Sequence, residues 1–260
     1  MSLTSAMNTA LTGMQAAETM IDVDGNNIAN SNTVGFKSST ATFATQFLQT
    51  QGLGSGPTTN NGGTNPRQIG MGTMVAGITP NFTQGTVEIS SNSTDMAIQG
   101  DGFFELQRPD GTLAYTRDGA FQQNANGQIV TAEGLPVVGF QPVPQGTTSI
   151  SIAQDGEVTT TSSSGNQSYR ITLTRFANPA GLKSIGGNMY EETKASGTPE
   201  QGSPTEAGFG SIMQGYVENS NVNIVEEMVN LIIAQRAYEI NSKSVQTSDE
   251  MLQNVAQMKR

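Results

Sequence analysis

The sequence contains no cysteine and no histidine. The first absence excludes disulfides and thiolate-bound zinc, and the second removes the commonest general base and the commonest metal ligand. Charge is scarce and one-sided. Only 13% of residues are charged, 22 acids stand against 12 bases, and the net charge is −10. A phosphate backbone demands clustered Lys and Arg, so this balance argues against a nucleic-acid partner. No block of like charges forms an acidic or basic tail. No apolar run approaches the roughly 18 residues that a membrane-spanning helix needs. The opening residues, Met1-Ser2-Leu3-Thr4-Ser5-Ala6, have neither the basic start nor the apolar centre of a secretory signal. Aromatic content is 6%, too low to furnish a broad sugar-stacking surface.

What the chain does have is 30 Gly, 10 Pro and many Ser, Thr, Asn and Gln, a mixture that favours short strands and frequent turns. A length of 260 residues suits two domains, or one domain with assembly segments. The C-terminal stretch breaks from this composition. From Asn221 to Met258 it contains no Pro or Gly. Ile224, Met228, Leu231, Tyr238, Val245 and Leu252 recur at spacings built from three and four, while Gln235, Ser242 and Asp249 fill the gaps of the seam. That pattern predicts a long amphipathic, coiled-coil-like helix of roughly 50 Å. Val225, Val229 and Ile232 broaden its first half into a wide apolar face.

A second seam lies at the other end of the chain. Leu3, Met7, Ala10, Met14, Ala17, Ile21 and Ile28 keep heptad spacing, with Asp24 as a break. Its small residues permit close helix approach, and its methionines adapt to irregular surfaces. Two seams at opposite ends of one chain can pair with each other. Ordering the long C-terminal helix offsets much of what burying its apolar side chains gains. Both ends are therefore expected to order fully only against neighbouring subunits.

Between the seams, residues 49–72 are rich in Gly, Asn and Thr and read as a linker. Residues 74–215 carry many short β-branched or alternating runs, such as Phe103-Phe104-Glu105-Leu106 and Tyr169-Arg170-Ile171-Thr172-Leu173. The pairs Asp101-Gly102, Asp110-Gly111, Asp118-Gly119, Asn126-Gly127 and Asp155-Gly156 are hairpin signals. The fold class predicted is mainly β with long terminal α-helices: a paired helical unit at residues 1–30 and 221–260, a connecting segment at 31–73, and an all-β domain, barrel or sandwich, at 74–220.

Sites for chemistry are few. Asp22-Val23-Asp24-Gly25-Asn26 opens like a calcium loop, but its sixth position is Asn27 and its twelfth Thr33, where Gly and Glu are needed. Gly52-Leu53-Gly54-Ser55-Gly56 lacks the Gly-Lys-Ser/Thr of a phosphate loop. Asp95, Asp101, Asp110 and Asp118 are close in sequence, and a carboxylate pair is the equipment of a glycosidase. Three of them precede Gly, however, so turns already account for them. A carbohydrate-binding or adhesive β-module is the alternative reading, and it leaves both terminal seams unexplained. No cofactor and no metal is expected.

The segment after the first seam holds Asn26-Asn27-Ile28-Ala29-Asn30, then Thr33-Val34-Gly35-Phe36-Lys37. It resembles the N-terminal signature of the bacterial flagellar rod and hook axial proteins, with Asn26, Asn27, Ala29, Asn30, Thr33, Gly35, Phe36 and Lys37 in its motif positions. Ala97 to Phe104, Tyr115 to Phe121, Asn178 to Leu182, Ile185 to Tyr190, Gln214 to Asn223 and Gln235 to Lys243 are similar to further segments of that family, so the resemblance covers nearly the whole chain. It implies a non-enzymatic structural subunit that polymerises with itself into a helical tube, in the distal rod or, alternatively, in the hook. It also implies proximal rod proteins, the hook protein and the surrounding P/L-ring bushing as neighbours. The implied location is the basal body, from periplasm to outer membrane, reached by the flagellar type III route without a cleavable signal.

Overall fold

The computed structural model describes residues 3–51, 67–144, 146–162, 165–206 and 208–258. The core of the expected linker, residues 52–66, lies outside the described residues, as do the side chains of Leu3 and Val255. The described chain is mostly β with one long helix near each end, and it divides into two compact units.

The first unit comprises residues 1–28, 39–79 and 224–260. Its helices are α1 (Leu3–Ala29) and α2 (Ile224–Met258). Between them in sequence come β1 (Ser39–Thr45), β2 (Leu48–Gln51), β3 (Arg67–Gly70) and β4 (Thr73–Pro80), where β1 pairs with β4 and β2 with β3. The helices pack together, and two contacts fix their sense. Asn27 Nδ2 donates to Glu227 Oε2 at 3.2 Å, and a Cβ on Gly13 would stand 2.8 Å from Asn241 Nδ2. Moving back along α1 from Asn27 to Gly13 moves forward along α2 from Glu227 to Asn241. The pair is therefore antiparallel and in register over two heptads, roughly 20 Å at the helical rise. Close approach requires small side chains. Ala10, Ala17 and Ala234 are buried, and Gly13 leaves room for Asn241. Gly72, with φ +115, brings the ribbon against α1, where Thr12 Oγ1 accepts from Thr73 N at 3.3 Å.

The second unit comprises residues 29–38 and 80–223. Its strands are β5 (Val87–Ile89), β6 (Met96–Gln99), β7 (Phe104–Gln107), β8 (Leu113–Thr116), β9 (Gln122–Gln123), β10 (Ile129–Val130), β11 (Thr147–Ile152), β12 (Glu157–Ser162), β13 (Gly165–Arg170), β14 (Leu173–Arg175), β15 (Lys183–Gly186), β16 (Met189–Glu191), β17 (Glu200–Gly202), β18 (Ser211–Gln214) and β19 (Tyr216–Glu218). The largest sheet is antiparallel with the order β15-β16-β8-β7, followed by the meander β11-β12-β13. The remaining strands pair in twos, β6 with β18, β5 with β19, β9 with β10 and β14 with β17. A barrel was one expectation. Among the described residues no sheet closes on itself, because these short strands end at turns before a continuous ladder can form.

Alternation along the strands builds two cores. Successive strand residues point to opposite faces. Phe103 and Tyr115 therefore join an aromatic cluster with Phe176, Leu182 and Tyr190. Their neighbours Phe104 and Ala114 enter the main core with Leu106, Val158, Leu173 and Ile212. Asp110-Gly111, Asn126-Gly127 and Asp155-Gly156 close the hairpins β7–β8, β9–β10 and β11–β12, and Gly111, Gly127 and Gly156 have φ of +82, +80 and +81. Asp118-Gly119 does other work. A Cβ on Gly119 would come within 1.5 Å of the Met96 carbonyl oxygen, so glycine here permits backbone contact, and Met96 N donates to Gly119 O at 3.0 Å.

Candidate functional site

The chain passes between its units after residues 28, 38, 79 and 223. Within the β unit, the segments next to these crossings are stitched to one another. Ser38 N donates to Asn221 Oδ1 at 2.8 Å, and Asn81 N donates to Ser38 O at 2.7 Å. Asn221 Nδ2 then donates to Asn81 O at 2.8 Å and to Thr83 Oγ1 at 2.9 Å. One asparagine side chain thus ties together three segments that are remote in sequence.

Beside it lies a buried ionic cluster. Lys37 Nζ is 2.6 Å from Glu218 Oε1, and both side chains have no exposed surface. The other carboxylate oxygen, Oε2, accepts from Arg117 Nε at 3.2 Å. Gly85 N donates to Oε1 at 2.8 Å, and Lys37 Nζ donates also to Thr83 O at 2.7 Å. Arg117 Nη1 donates to Gly100 O at 2.8 Å and to Gly102 O at 2.7 Å, with the guanidinium over the Phe103 ring. Burial pulls the Lys37 ammonium below its ordinary range, Glu218 counters that by attraction, and Arg117 adds to the lowering. A buried charge needs this degree of pairing.

The motif positions lie in sequence on both sides of the first crossing, and each is tied within its own unit. Asn27 is 1% exposed and caps the entry to β1, with Oδ1 accepting from Ser39 N and Nδ2 donating to Ser39 O, both at 2.9 Å. Thr33 N and Oγ1 donate to Asn30 O and Oδ1 at 3.1 and 3.2 Å, closing the turn after α1. Gly35, with φ +69, donates its N–H to Glu218 O at 2.7 Å, and a Cβ there would stand 2.6 Å from Asp118 Cα. Phe36 is half-buried, and Lys37 is the buried ammonium of the cluster. Asn26 and Ala29 are exposed on α1.

On the helices, Ala10 and Ala17 are buried, while Met7, Met14, Ile21 and Ile28 are half-buried. On α2, Leu231, Val245 and Leu252 are half-buried, Tyr238 is 42% exposed, and Ile224 and Met228 are 40% and 51% exposed. The second line facing inward on α2 is Glu227, Ala234, Asn241 and Ser248, small or polar at seven-residue spacing. Val225, Val229, Ile232, Ile233 and Ile240 are exposed on the rest of the helix. Asp24 lies at the inward position of α1 and is 8% exposed, with Oδ2 lacking a hydrogen-bond partner. Burial first, and then the charge and hydrogen bond of Glu227, push its carboxyl from 3.8 up to about 6.

Of the four sequence-close aspartates, Asp110 and Asp101 are exposed and Asp95 is buried against Ser90 Oγ at 2.5 Å. Asp118 accepts from Ala120 N at 2.9 Å. Burial, with Asp95 nearby, raises the Asp118 carboxyl, and the Ala120 hydrogen bond opposes that rise. Asp110 is held low chiefly by its hydrogen bonds from Thr112. Among the described residues, no cluster of three metal-ligating acids is present, and no helix is long and apolar enough to cross a membrane.

Two terminal helices packed into one unit, and a β unit sealed around a signature lysine, define an axial subunit of the flagellar rod and hook type. Three family descriptions match in order: flagella basal body rod protein at residues 7–37, flagellar hook protein FlgE/F/G D1 domain at 97–160, and flagellar basal body rod FlgEFG protein C-terminal at 213–258. The chain is 43% identical over 263 residues to the flagellar basal-body rod protein FlgG of Borreliella burgdorferi, covering 98% of each chain. It is 38% identical over 262 residues to FlgG of Bacillus subtilis, covering 98% of this chain and 99% of the relative. The flagellar hook protein FlgE of Escherichia coli is more distant, 24% identical over 418 aligned residues with 98% of this chain covered. The chain belongs to the FlgG family of flagellar basal-body rod proteins and is a structural subunit of the distal rod.

Proposed function

We propose that this subunit polymerises with itself into a helical tube that acts as a drive shaft, carrying torque from the motor to the hook. One observation carries this reading: α2 turns small and polar residues toward α1, and leaves Val225, Met228, Val229, Ile232 and Ile233 exposed within residues 225–233. Apolar side chains in such a row gain by burial, and each copy presents the same row to the next. Contacts that do not close on themselves generate filaments. In this reading the terminal helices form a coiled-coil-like inner layer. Leu3, Met7, Ala10, Met14, Ala17, Ile21 and Ile28 of one helix, and Ile224, Met228, Leu231, Tyr238, Val245 and Leu252 of the other, are divided between the intrachain pair and its neighbours. The β unit forms the outer layer. Neighbouring components are the proximal rod, the hook and the P/L-ring bushing, and the location runs from periplasm to outer membrane. Export follows the flagellar type III route. The role is mechanical and involves no catalysis.

The test is quantitative mass spectrometry of purified hook–basal bodies before and after the hooks are sheared off. Retention with the sheared basal bodies in modest copy number supports the drive-shaft reading. Loss together with the hooks in higher copy number would make the chain a hook subunit.

A further inference from the structure

Among the described residues, the interface between the terminal helices brings two carboxyl groups together with no cation paired to either. Asp24 of α1 is buried, and Glu227 of α2 faces it. Neither takes part in an ion pair among the described residues; the pairs formed on α2 are limited to Arg236 with Glu239. α1 contains no Lys or Arg at all, and its neighbouring acid Asp22 is exposed. β1, which starts from the Asn27 cap, has no ionisable side chain. The first turn of α2 adds only a second acid, the exposed Glu226. Glu227 already accepts from Asn27 Nδ2, while Asp24 Oδ2 has no partner.

We propose that Asp24 and Glu227 form a one-proton site across the helix pair, so that pairing of the two terminal helices takes up a proton. With the proton in place, the Asp24 hydroxyl donates to the Glu227 carboxylate, and repulsion becomes a hydrogen bond. Once it leaves, two negative charges share a poorly solvated interface. The sign follows from linkage. The carboxyl binds its proton more tightly in the paired state, with a midpoint of about 6 against 3.8. Pairing is therefore strongest below about pH 4, weakens as the pH rises to about 6, and is flat above that. The full loss is roughly a hundredfold in the pairing equilibrium. At neutral pH the lone chain pairs its helices less tightly than in acid, and contacts with neighbouring copies can supply the difference. That last consequence rests on the assembly reading, whereas the proton site does not.

Hydrogen exchange of the full chain, followed by mass spectrometry and corrected for intrinsic rates, tests this. Protection of α1 and α2 peptides should fall roughly fiftyfold between about pH 4 and pH 7, while peptides from β7 and β8 do not follow. Asp24→Asn should flatten the pH dependence of the helices. A flat wild-type profile, or an Asp24→Asn profile with the original slope, overturns the proposal. If Asp24→Asn fails to fold, Glu227→Gln decides: a shallower slope supports the site, and an unchanged slope overturns it. Helices unprotected at every pH would also overturn it, while leaving the rod reading to the basal-body fractionation.

Discussion

Lys37 and Glu218 meet at 2.6 Å with no side-chain surface exposed, although 181 residues separate them in sequence. Arg117 completes the neutralisation of this carboxylate and leaves a net positive cluster wrapped in backbone carbonyls. Replacing Glu218 strands two cations and the backbone N–H of Gly85. Glu218→Ala should cost about 3–5 kcal/mol in urea unfolding of the full chain. Lys37→Met should cost less, because Glu218 keeps Arg117. Equal and small losses would show that the cluster is dispensable.

Glycine at position 35 combines a left-handed backbone with backbone contact. Gly35→Ala meets both φ +69 and Asp118 at 2.6 Å. Gly111→Ala meets only φ +82, with open space around it. The second change should cost about 1–2 kcal/mol, and the first at least about 3 kcal/mol once the clash is added. Thermal melts of the two variants side by side check the ordering.

Alkaline pH should unfold the β unit through its buried phenols. Burial pushes Tyr190 from 10.0 up to about 12. An acid whose folded midpoint is raised stabilises the fold below its ordinary range and loses that contribution as the pH climbs. Stability should therefore fall between about pH 10 and pH 12, by up to about 3 kcal/mol from this residue. Tyr190→Phe should remove that share of the loss, read from unfolding curves across the window.

The exposed row on α2 separates assembly from folding. Ile232 is 56% exposed, so Ile232→Asp should change the stability of the free chain by less than about 0.5 kcal/mol. Incorporation into basal bodies, measured by mass spectrometry, should drop at least about tenfold, which corresponds to only about 1.4 kcal/mol per contact. Normal incorporation would remove this face from the assembly contacts.

Much of this organisation was legible in the sequence, and the illegible parts share a cause. Heptad spacing located both helices, and the line Leu231, Tyr238, Val245, Leu252 stood out because its residues are large. Its inward companion, Glu227, Ala234, Asn241 and Ser248, was invisible to a search for apolar residues, since a close helix pair selects small side chains and tolerates polar ones. Asp24 looked like a break in the seam and instead occupies it. Five Asp-Gly or Asn-Gly pairs signalled hairpins and three close them; Asp101-Gly102 joins β6 to β7, which do not pair, and at Asp118-Gly119 the same dipeptide serves close packing. Lys37 was visible as a motif position, whereas Glu218 as its partner, Arg117 as the second cation on that carboxylate, and Asn221 as the tie beside them were not singled out. A conspicuous lysine in an apolar setting signals that a carboxylate must exist, and only the fold reveals which one. Barrel closure was the inference that strand content alone could not support, because closure depends on pairing order.

The stitching at Asn221 has a temporal meaning. Ser38, Asn81 and Thr83 wait for a side chain that lies beyond four-fifths of the chain, and Lys37 waits for Glu218. Contacts of such long sequence separation close late. A chain emerging from its beginning therefore carries an unsatisfied lysine and open backbone donors until nearly its whole length is free. The N-terminal seal therefore closes only once the chain is available as far as Asn221, just ahead of α2.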